Sequence, residues 1–253
     1  MKSETTANLP SELLRSIAIQ SVSTLPERRQ DMAQAREHLV DVFKTMGFRT
    51  SILEAKEHDA VYAERIEKPS LPTVLVYGHY DVQPGDPEDE WRSPPFEATV
   101  RDGKLFARGA ADNKGQHFVH ITAVKRILEE AKSLPVNMKF LIEGEEEIGS
   151  PSVQDMAKRY ASDLLKCDYL IVSDGEAYAE DQPSIDTSLR GLLYVELKLQ
   201  TADHDLHSGI FGGIAINPAI ELARIVSLLK DMNGKIVIPG FYDRVERVSP
   251  KAL

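Results

Sequence analysis

The chain has 253 residues, and its 30 lysines and arginines against 40 aspartates and glutamates give a formal net charge of −10. This acidic balance argues against a nucleic-acid partner, which requires clustered positive charge, and the 42% of hydrophobic residues excludes a wholly disordered chain. The single cysteine, Cys167, excludes an intramolecular disulfide and favours a cytoplasmic location, and the lack of an apolar run of roughly 18 residues predicts no membrane partner.

Two amphipathic helices are predicted at the start of the chain, over residues 11–19 and 28–46, because apolar side chains recur there at three- and four-residue steps. Three short continuous apolar runs are typical of strands buried on both faces, and they occupy residues 73–77, 138–142 and 169–172. Two further helices are predicted over residues 116–132 and 153–165. Strands that alternate with helices predict the α/β class, with a mainly parallel sheet sandwiched by helices.

Turn signals and a change of pattern complete the predicted organisation. The Asp102-Gly103 pair predicts a β-hairpin within residues 98–107. After about residue 190, an alternating run at 191–200, an amphipathic helix at 218–232 and an apolar run at 235–240 indicate a β-α-β unit. We therefore expect a first domain over residues 1–190 and the start of a smaller α+β domain over residues 191–253.

Acidic and histidine side chains follow the ends of the three predicted strands and precede the helix at 116–132. They are His79, Asp81, Asp112, Glu146, Glu147 and Asp174. The ligand crevice of an open α/β sheet lies at the carboxyl ends of its strands, so we expect these side chains to share one crevice.

Five carboxylates in one crevice would repel each other unless cations neutralise them or some of them are protonated, and divalent metal is the simpler answer. One histidine with several carboxylates suits Zn²⁺, Mn²⁺ or Co²⁺. In an extended segment His79 and Asp81 point to the same side, so Asp81 can accept a hydrogen bond from the imidazole while its other nitrogen binds metal. Adjacent Glu146 and Glu147 diverge, which lets one bind metal while the other handles a proton of water.

Each residue also has a structural interpretation. His79 at a strand end could be a satisfied structural histidine, and the Glu-Glu-Glu run could be a solvated patch. Asp112 could cap the following helix, and Asp174 beside a glycine could be a turn residue. The metal hypothesis depends on all four segments occurring in order.

Several motifs together resemble those of the M20 family of co-catalytic zinc peptidases, in particular its carnosinase-like dipeptidase branch. They are GHYDV at 78–82, the segment 91–116, EGEEEIGS at 143–150, SDG at 173–175 and DHDLHSG at 203–209. The resemblance implies a zinc-peptidase-like catalytic domain, a lid or dimerisation domain, and two divalent metal ions.

The resemblance also implies a role for each candidate residue. His79, Asp112 and Asp174 would bind one metal, and Asp112 would bridge to a second metal that takes Glu147. Asp81 would orient His79, and Glu146 would act as the general base. A cis peptide is implied at Asp112-Asn113. His207 would help to stabilise the oxyanion across the interface of a homodimer, with His204 as the competing candidate.

The same resemblance implies hydrolysis of a peptide bond in a dipeptide or short peptide. An N-acyl amino-acid deacylase is the alternative enzyme, and a metal-binding or dimerising module without activity is the alternative outside catalysis. Family members continue beyond the part that this chain matches and take the last ligand of the second metal, a histidine, from there. The chain is therefore expected to be the amino-terminal portion of a longer enzyme.

Overall fold

The computed structural model describes residues 6–176, 178–179, 182, 184–186 and 189–246. The chain divides into two units, Met1–Asp186 and Thr187–Leu253, and each is described by itself. None of the helices in these described residues is long and apolar enough to cross a membrane.

The first unit contains four helices and seven strands among its described residues. The helices are α1 (Ser11–Ala18), α2 (Arg29–Thr45), α3 (Lys114–Ala131) and α4 (Val153–Tyr160). The strands are β1 (Arg49–Leu53), β2 (Ala60–Arg65), β3 (Thr73–His79), β4 (Thr99–Arg101), β5 (Lys104–Phe106), β6 (Asn137–Glu143) and β7 (Tyr169–Val172).

Five strands form one sheet in the order β1-β2-β6-β3-β7. The three strands that the apolar runs predict, β3, β6 and β7, are parallel, whereas β1 pairs with β2 and β2 with β6 in antiparallel fashion. The α/β class is confirmed, and the sheet is mixed. The predicted hairpin is also present as β4 and β5, with Asp102 and Gly103 at positive φ in its turn.

Side chains alternate between two apolar cores on the two faces of the sheet. Phe140 and Ile142 of β6 belong to the larger core beneath the helices α1, α2 and α3, while Leu141 between them belongs to the second core, with Met156 of α4. Because both faces are covered, the central strands have the continuous apolar runs of a sandwiched sheet.

Three expected boundaries or elements of the first unit differ from the structure. The strands β1 and β2 were not expected, although residues 60–63 form a buried apolar run. The helix predicted to reach residue 165 ends at Tyr160. Beyond it the chain turns, and the carbonyls of Leu164 and Lys166 accept hydrogen bonds of 2.7 and 2.8 Å from the Lys139 ammonium on β6.

The second unit contains two helices among its described residues, α5 (Ser208–Phe211) and α6 (Pro218–Ser227). The helix predicted over 218–232 thus ends earlier. The strands predicted at 191–200 and 235–240 are wrong for residues 189–246, where the only pairing is an isolated bridge between Lys230 and Ile236. A strand requires a hydrogen-bonded neighbour, which an alternating sequence does not supply by itself.

Candidate metal centre

The strand register places the predicted site residues at one edge of the sheet. His79, the last residue of β3, pairs with Glu143 at the end of β6, and Tyr77 pairs with Val172 at the end of β7. The loops that carry Glu146 and Asp174 therefore start beside His79. This is the arrangement that the strand-end positions predict.

One group of donors surrounds the imidazole Nε2 of His79, which is fully buried. Its Nε2 lies 3.1 Å from Oδ1 of Asp112 and 3.4 Å from Oδ1 of Asp174. The Asp112 side chain is 63% exposed and that of Asp174 is 22% exposed, so the group opens to solvent on the side of Asp112.

A second group joins the same histidine to the two adjacent glutamates. Oε2 of Glu146 lies 3.9 Å from His79 Nε2. One ligand atom from each of His79, Glu146 and Glu147 lies within 4.8 Å of the others, and the same holds for His79 with Asp112 and Asp174. The structure therefore brings together all five residues that the sequence proposes around the metals.

Asp81 is fully buried and contacts both groups. Nδ1 of His79 lies 3.3 Å from Oδ1 of Asp81 and 3.0 Å from the backbone carbonyl oxygen of Asp81. The closest acceptor is therefore the carbonyl and not the carboxylate that the sequence suggested. The carboxylate also accepts hydrogen bonds from the backbone amides of Glu146 at 3.3 Å and Glu147 at 3.0 Å. Asp81 thus connects the histidine to the backbone of the glutamate loop.

Asn113 is a site residue that the sequence interpretation did not single out. Its Oδ1 accepts a 3.1 Å hydrogen bond from the backbone amide of His79, and its Nδ2 donates a 2.9 Å bond to Asp174 Oδ1. Any side chain at Gly78 would collide with the Asn113 amide, so glycine is required there. The Asp112-Asn113 peptide bond is cis, as the family resemblance implies.

Ser23 and Gln83 also escaped the sequence interpretation. Ser23 donates a 2.7 Å hydrogen bond to Asp81 Oδ2, and Gln83 Nε2 donates a 2.8 Å bond to Glu147 Oε2. Gln83 lies two residues beyond Asp81, which is a usable local signal. No local pattern marks Ser23, which lies 58 positions from Asp81.

The pKa shifts of the residues around His79 show that this site favours positive charge. Burial alone would lower the pKa of His79, but hydrogen bonds and charge from Asp174 and Asp81 outweigh it and raise the pKa to about 11. The bond from His79 in turn lowers the pKa of Asp174. Loss of solvent raises the pKa of Glu146 to about 6, with Asp174 and Glu147 adding to the rise.

Burial also raises the pKa of Glu147, against the hydrogen bond from Gln83. Asp174 and Asp81 thus favour a charged His79, while the neighbouring Glu146 and Glu147 resist ionisation, which indicates an environment short of cations. Divalent cations would supply that charge, and imidazole nitrogen with carboxylate oxygen is a donor set that Zn²⁺, Mn²⁺ and Co²⁺ accept. The residues present therefore fit the metals that the sequence proposes.

His207 lies in the second unit, directly before α5. Its Nδ1 accepts a 3.0 Å hydrogen bond from the backbone amide of Gly209, so its ring caps the start of this short helix. His204 is exposed, and its Nδ1 lies 2.6 Å from Oδ1 of Asp203. The role of His207 in stabilising an oxyanion stays a prediction.

Comparisons with known proteins agree with this fold and donor set. The profile of Peptidase family M20/M25/M40 matches residues 75–234. The chain is 33% identical over 241 residues to a Beta-Ala-His dipeptidase of Rattus norvegicus, covering 90% of this chain and 49% of that protein. It is 35% identical over 257 residues to a Cys-Gly metallodipeptidase of Candida albicans, covering 94% and 53%.

Among solved structures, an M20 family metallo-carboxypeptidase from Sulfolobus solfataricus matches with a TM-score of 0.84 and 36% identity, over 96% of this chain and 55% of that one. Fold and donor set together define an α/β protein with a candidate metal centre at the edge of its sheet. The chain belongs to the peptidase family M20/M25/M40, which confirms the resemblance. It spans about half the length of the curated relatives it matches.

Proposed function

We propose that the protein is a metal-dependent hydrolase that cleaves the peptide bond of dipeptides or short peptides at a site with two divalent cations. Zn²⁺ is the preferred assignment for both cations, with Mn²⁺ or Co²⁺ as alternatives. The observation that carries this proposal is the convergence of His79, Asp112 and Asp174 with Glu146 and Glu147 at one edge of the sheet. Membership of a peptidase family and the two relatives named as dipeptidases support the substrate class.

Three residues would hold the first cation: His79, Asp112 and Asp174. Asp112 would also bind the second cation together with Glu147. These two carboxylates are fewer than the three protein ligands usual for catalytic zinc, so the second cation needs one more ligand than these residues supply. When bound, the cations would polarise the scissile carbonyl and make the attacking water more acidic.

Glu146 is the proposed general base and acid. It takes a proton from water as the water oxygen attacks the carbonyl carbon, and it delivers that proton to the leaving nitrogen as the carbon–nitrogen bond breaks. Without bound cations, burial raises the pKa of Glu146 to about 6, which leaves it mostly ionised at neutral pH yet able to carry a proton. Asp81 fixes the ring of His79 and the backbone of Glu146, so the metal ligand and the base keep one relative position.

The remaining assignments concern the domain boundaries and the second unit. We assign residues 1–190 to the catalytic domain and residues 191–253 to part of a lid or dimerisation domain of a homodimer. His207 would donate a hydrogen bond to the oxyanion of the substrate. A cytoplasmic location remains a prediction from the single cysteine.

A substrate panel with metal supplementation tests the function. Purified protein, both as this chain and extended to the length of its relatives, is incubated with unblocked dipeptides and with N-acetylated amino acids, with and without Zn²⁺ or Mn²⁺. We expect metal-dependent release of free amino acids from the dipeptides by the extended protein. Release only from the acetylated compounds would favour the deacylase, and no hydrolysis by the metal-loaded extended protein would reject both activities.

A further inference from the structure

A short segment after α1 lies alongside the residues that follow β3. Val22 forms a parallel bridge with Val82, and the backbone amide of Val82 donates a 2.9 Å hydrogen bond to the carbonyl of Ser21. The hydroxyl of Ser21 donates a 2.6 Å bond to the carbonyl of Tyr80. One isolated bridge and two hydrogen bonds thus join the two segments and place the side chain of the next residue, Ser23, against the metal centre.

The side chain of Ser23 contacts the one carboxylate that reaches both donor groups. Its Oγ donates a 2.7 Å hydrogen bond to Oδ2 of Asp81, and Ser23 is 9% exposed while Asp81 is fully buried. The same Oδ2 accepts the backbone amide of Glu147 at 3.0 Å. A buried carboxylate is stable only when donors satisfy it, and a hydroxyl at this distance is a strong one.

Ser23 is also held from the opposite side. The Nε2 of His58, in the connection between β1 and β2, lies 3.2 Å from the backbone carbonyl oxygen of Ser23. The backbone amides of Glu57 and His58 in turn donate bonds of 2.6 and 3.1 Å to Oε1 of Glu145. The position of Ser23 is therefore set by contacts on both sides, with a loop that is itself attached to the residue before Glu146.

We propose that Ser23 is a positioning residue for the metal centre, which acts through Asp81 on the ring of His79 and on the backbone of Glu146 and Glu147. This inference rests on the proposed metal-binding function. Without the Ser23 hydroxyl, the Asp81 carboxylate loses a donor to Oδ2 and gains freedom to rotate. Rotation would weaken the backbone bonds to the glutamate loop and disturb the position of His79, so the cost falls on metal affinity.

Cobalt binding to the metal-free protein measures this effect without any substrate. Wild type, Ser23→Ala, Ser23→Thr and Ser16→Ala are titrated with Co²⁺, and the visible absorption of bound cobalt reports affinity and ligand geometry. Ser16→Ala is the matched control, because it removes a buried serine hydroxyl on α1 that is not a donor to Asp81. Thermal melting of each metal-free variant measures the cost to the fold.

We expect Ser23→Ala to weaken Co²⁺ binding about 10-fold to 100-fold and to change the cobalt spectrum. Ser23→Thr, which keeps the hydroxyl, should restore both, and Ser16→Ala should change neither. If the alanine variant does not fold, Ser23→Cys, with a weaker donor, should show an intermediate affinity. Equal affinities for Ser23→Ala and Ser16→Ala, or equal losses in Ser23→Ala and Ser23→Thr, would overturn the role of Ser23. Absence of Co²⁺ binding by wild type would instead overturn the metal centre, and the inference with it.

Discussion

The side-chain amide of Gln83 donates hydrogen bonds to both the carboxylate and the backbone carbonyl of Glu147, at 2.8 and 3.3 Å. The backbone amide of Glu147 is held at the same time by Asp81. Glu147 is thus fixed at its amide, its carbonyl and one carboxylate oxygen. The orientation of the Glu147 side chain is therefore set before a cation binds, and its Oε2 also accepts the hydrogen bond from the Gln83 amide.

Replacing Gln83 by leucine should therefore weaken binding of the second metal ion. The change removes the donor to Glu147 with little change in volume, and loss of such an outer contact costs about 10-fold to 100-fold in metal affinity. Competition with a chromophoric chelator measures the affinity, and elemental analysis gives the number of metals per chain. Gln154→Leu, at an exposed position of α4, is the matched substitution and should leave both unchanged. An unaltered metal affinity in Gln83→Leu would contradict a role for Gln83 in holding Glu147 for the metal.

Glu146→Gln should abolish turnover while the metal content stays constant. The amide has nearly the same shape as the carboxylate but cannot accept the proton of water, and general-base catalysis contributes about 10² to 10⁴ in rate. Dipeptide hydrolysis by the extended protein and elemental analysis of the same sample give the two quantities. Glu130→Gln, exposed on α3, serves as control. Substantial residual hydrolysis in Glu146→Gln would reject the role of Glu146 as base.

Metal should stabilise the folded chain, and Asp174 should be needed for that effect. A cation present at about 100 times its dissociation constant adds about 2.7 kcal/mol to the free energy of unfolding when it binds only the folded state. We expect added Zn²⁺ to raise the melting temperature of wild type, a chelator to reverse the rise, and Asp174→Asn to reduce it. The exposed Asp155→Asn should respond like wild type. A melting temperature that Zn²⁺ does not change would argue for a scaffold without metal.

His38 should make the folded state sensitive to acid independently of any metal. It is buried against α1, with Nε2 2.7 Å from the carbonyl of Glu12, and burial lowers its pKa below the ordinary 6.5, with Arg15 and Lys114 adding to the fall and charge from Glu12 opposing it. As the pH falls through 6.5, the unfolded chain binds a proton that the folded chain does not, so stability decreases.

Urea unfolding at pH 7 and pH 5 tests this sign. His38→Gln, which keeps a donor for the Glu12 carbonyl but cannot titrate, should lose less stability between the two pH values than wild type. A nuclear magnetic resonance titration of the folded protein gives the pKa of His38 directly. A midpoint at or above 6.5 would contradict the prediction.

The apolar runs at β3 and β6 made the central strands predictable, because strands covered on both faces need continuous apolar sequence. The run at β7 also marked a strand, but β7 is an edge strand with all four residues exposed, so the prediction that it is buried on both faces is wrong. The site residues next to these strands could be identified because strand ends at one sheet edge bring their loops together. The exposed pattern of β1 lacks that signal. The alternating run at 191–200 shows the opposite case, in which a strand-like pattern forms no strand among the described residues.

The order of residues was enough to predict the family, the α/β class and the side chains that lie around His79, because each of these depends on short segments of chain and on the chemistry of their side chains. Only the folded chain determined that Asp81 contacts the backbone of the glutamate loop, that Asn113 links His79 to Asp174, and that Ser23 reaches Asp81 from 58 positions away. Those contacts depend on register and packing between distant segments, and a hydrogen bond of this kind leaves no periodic pattern in the sequence.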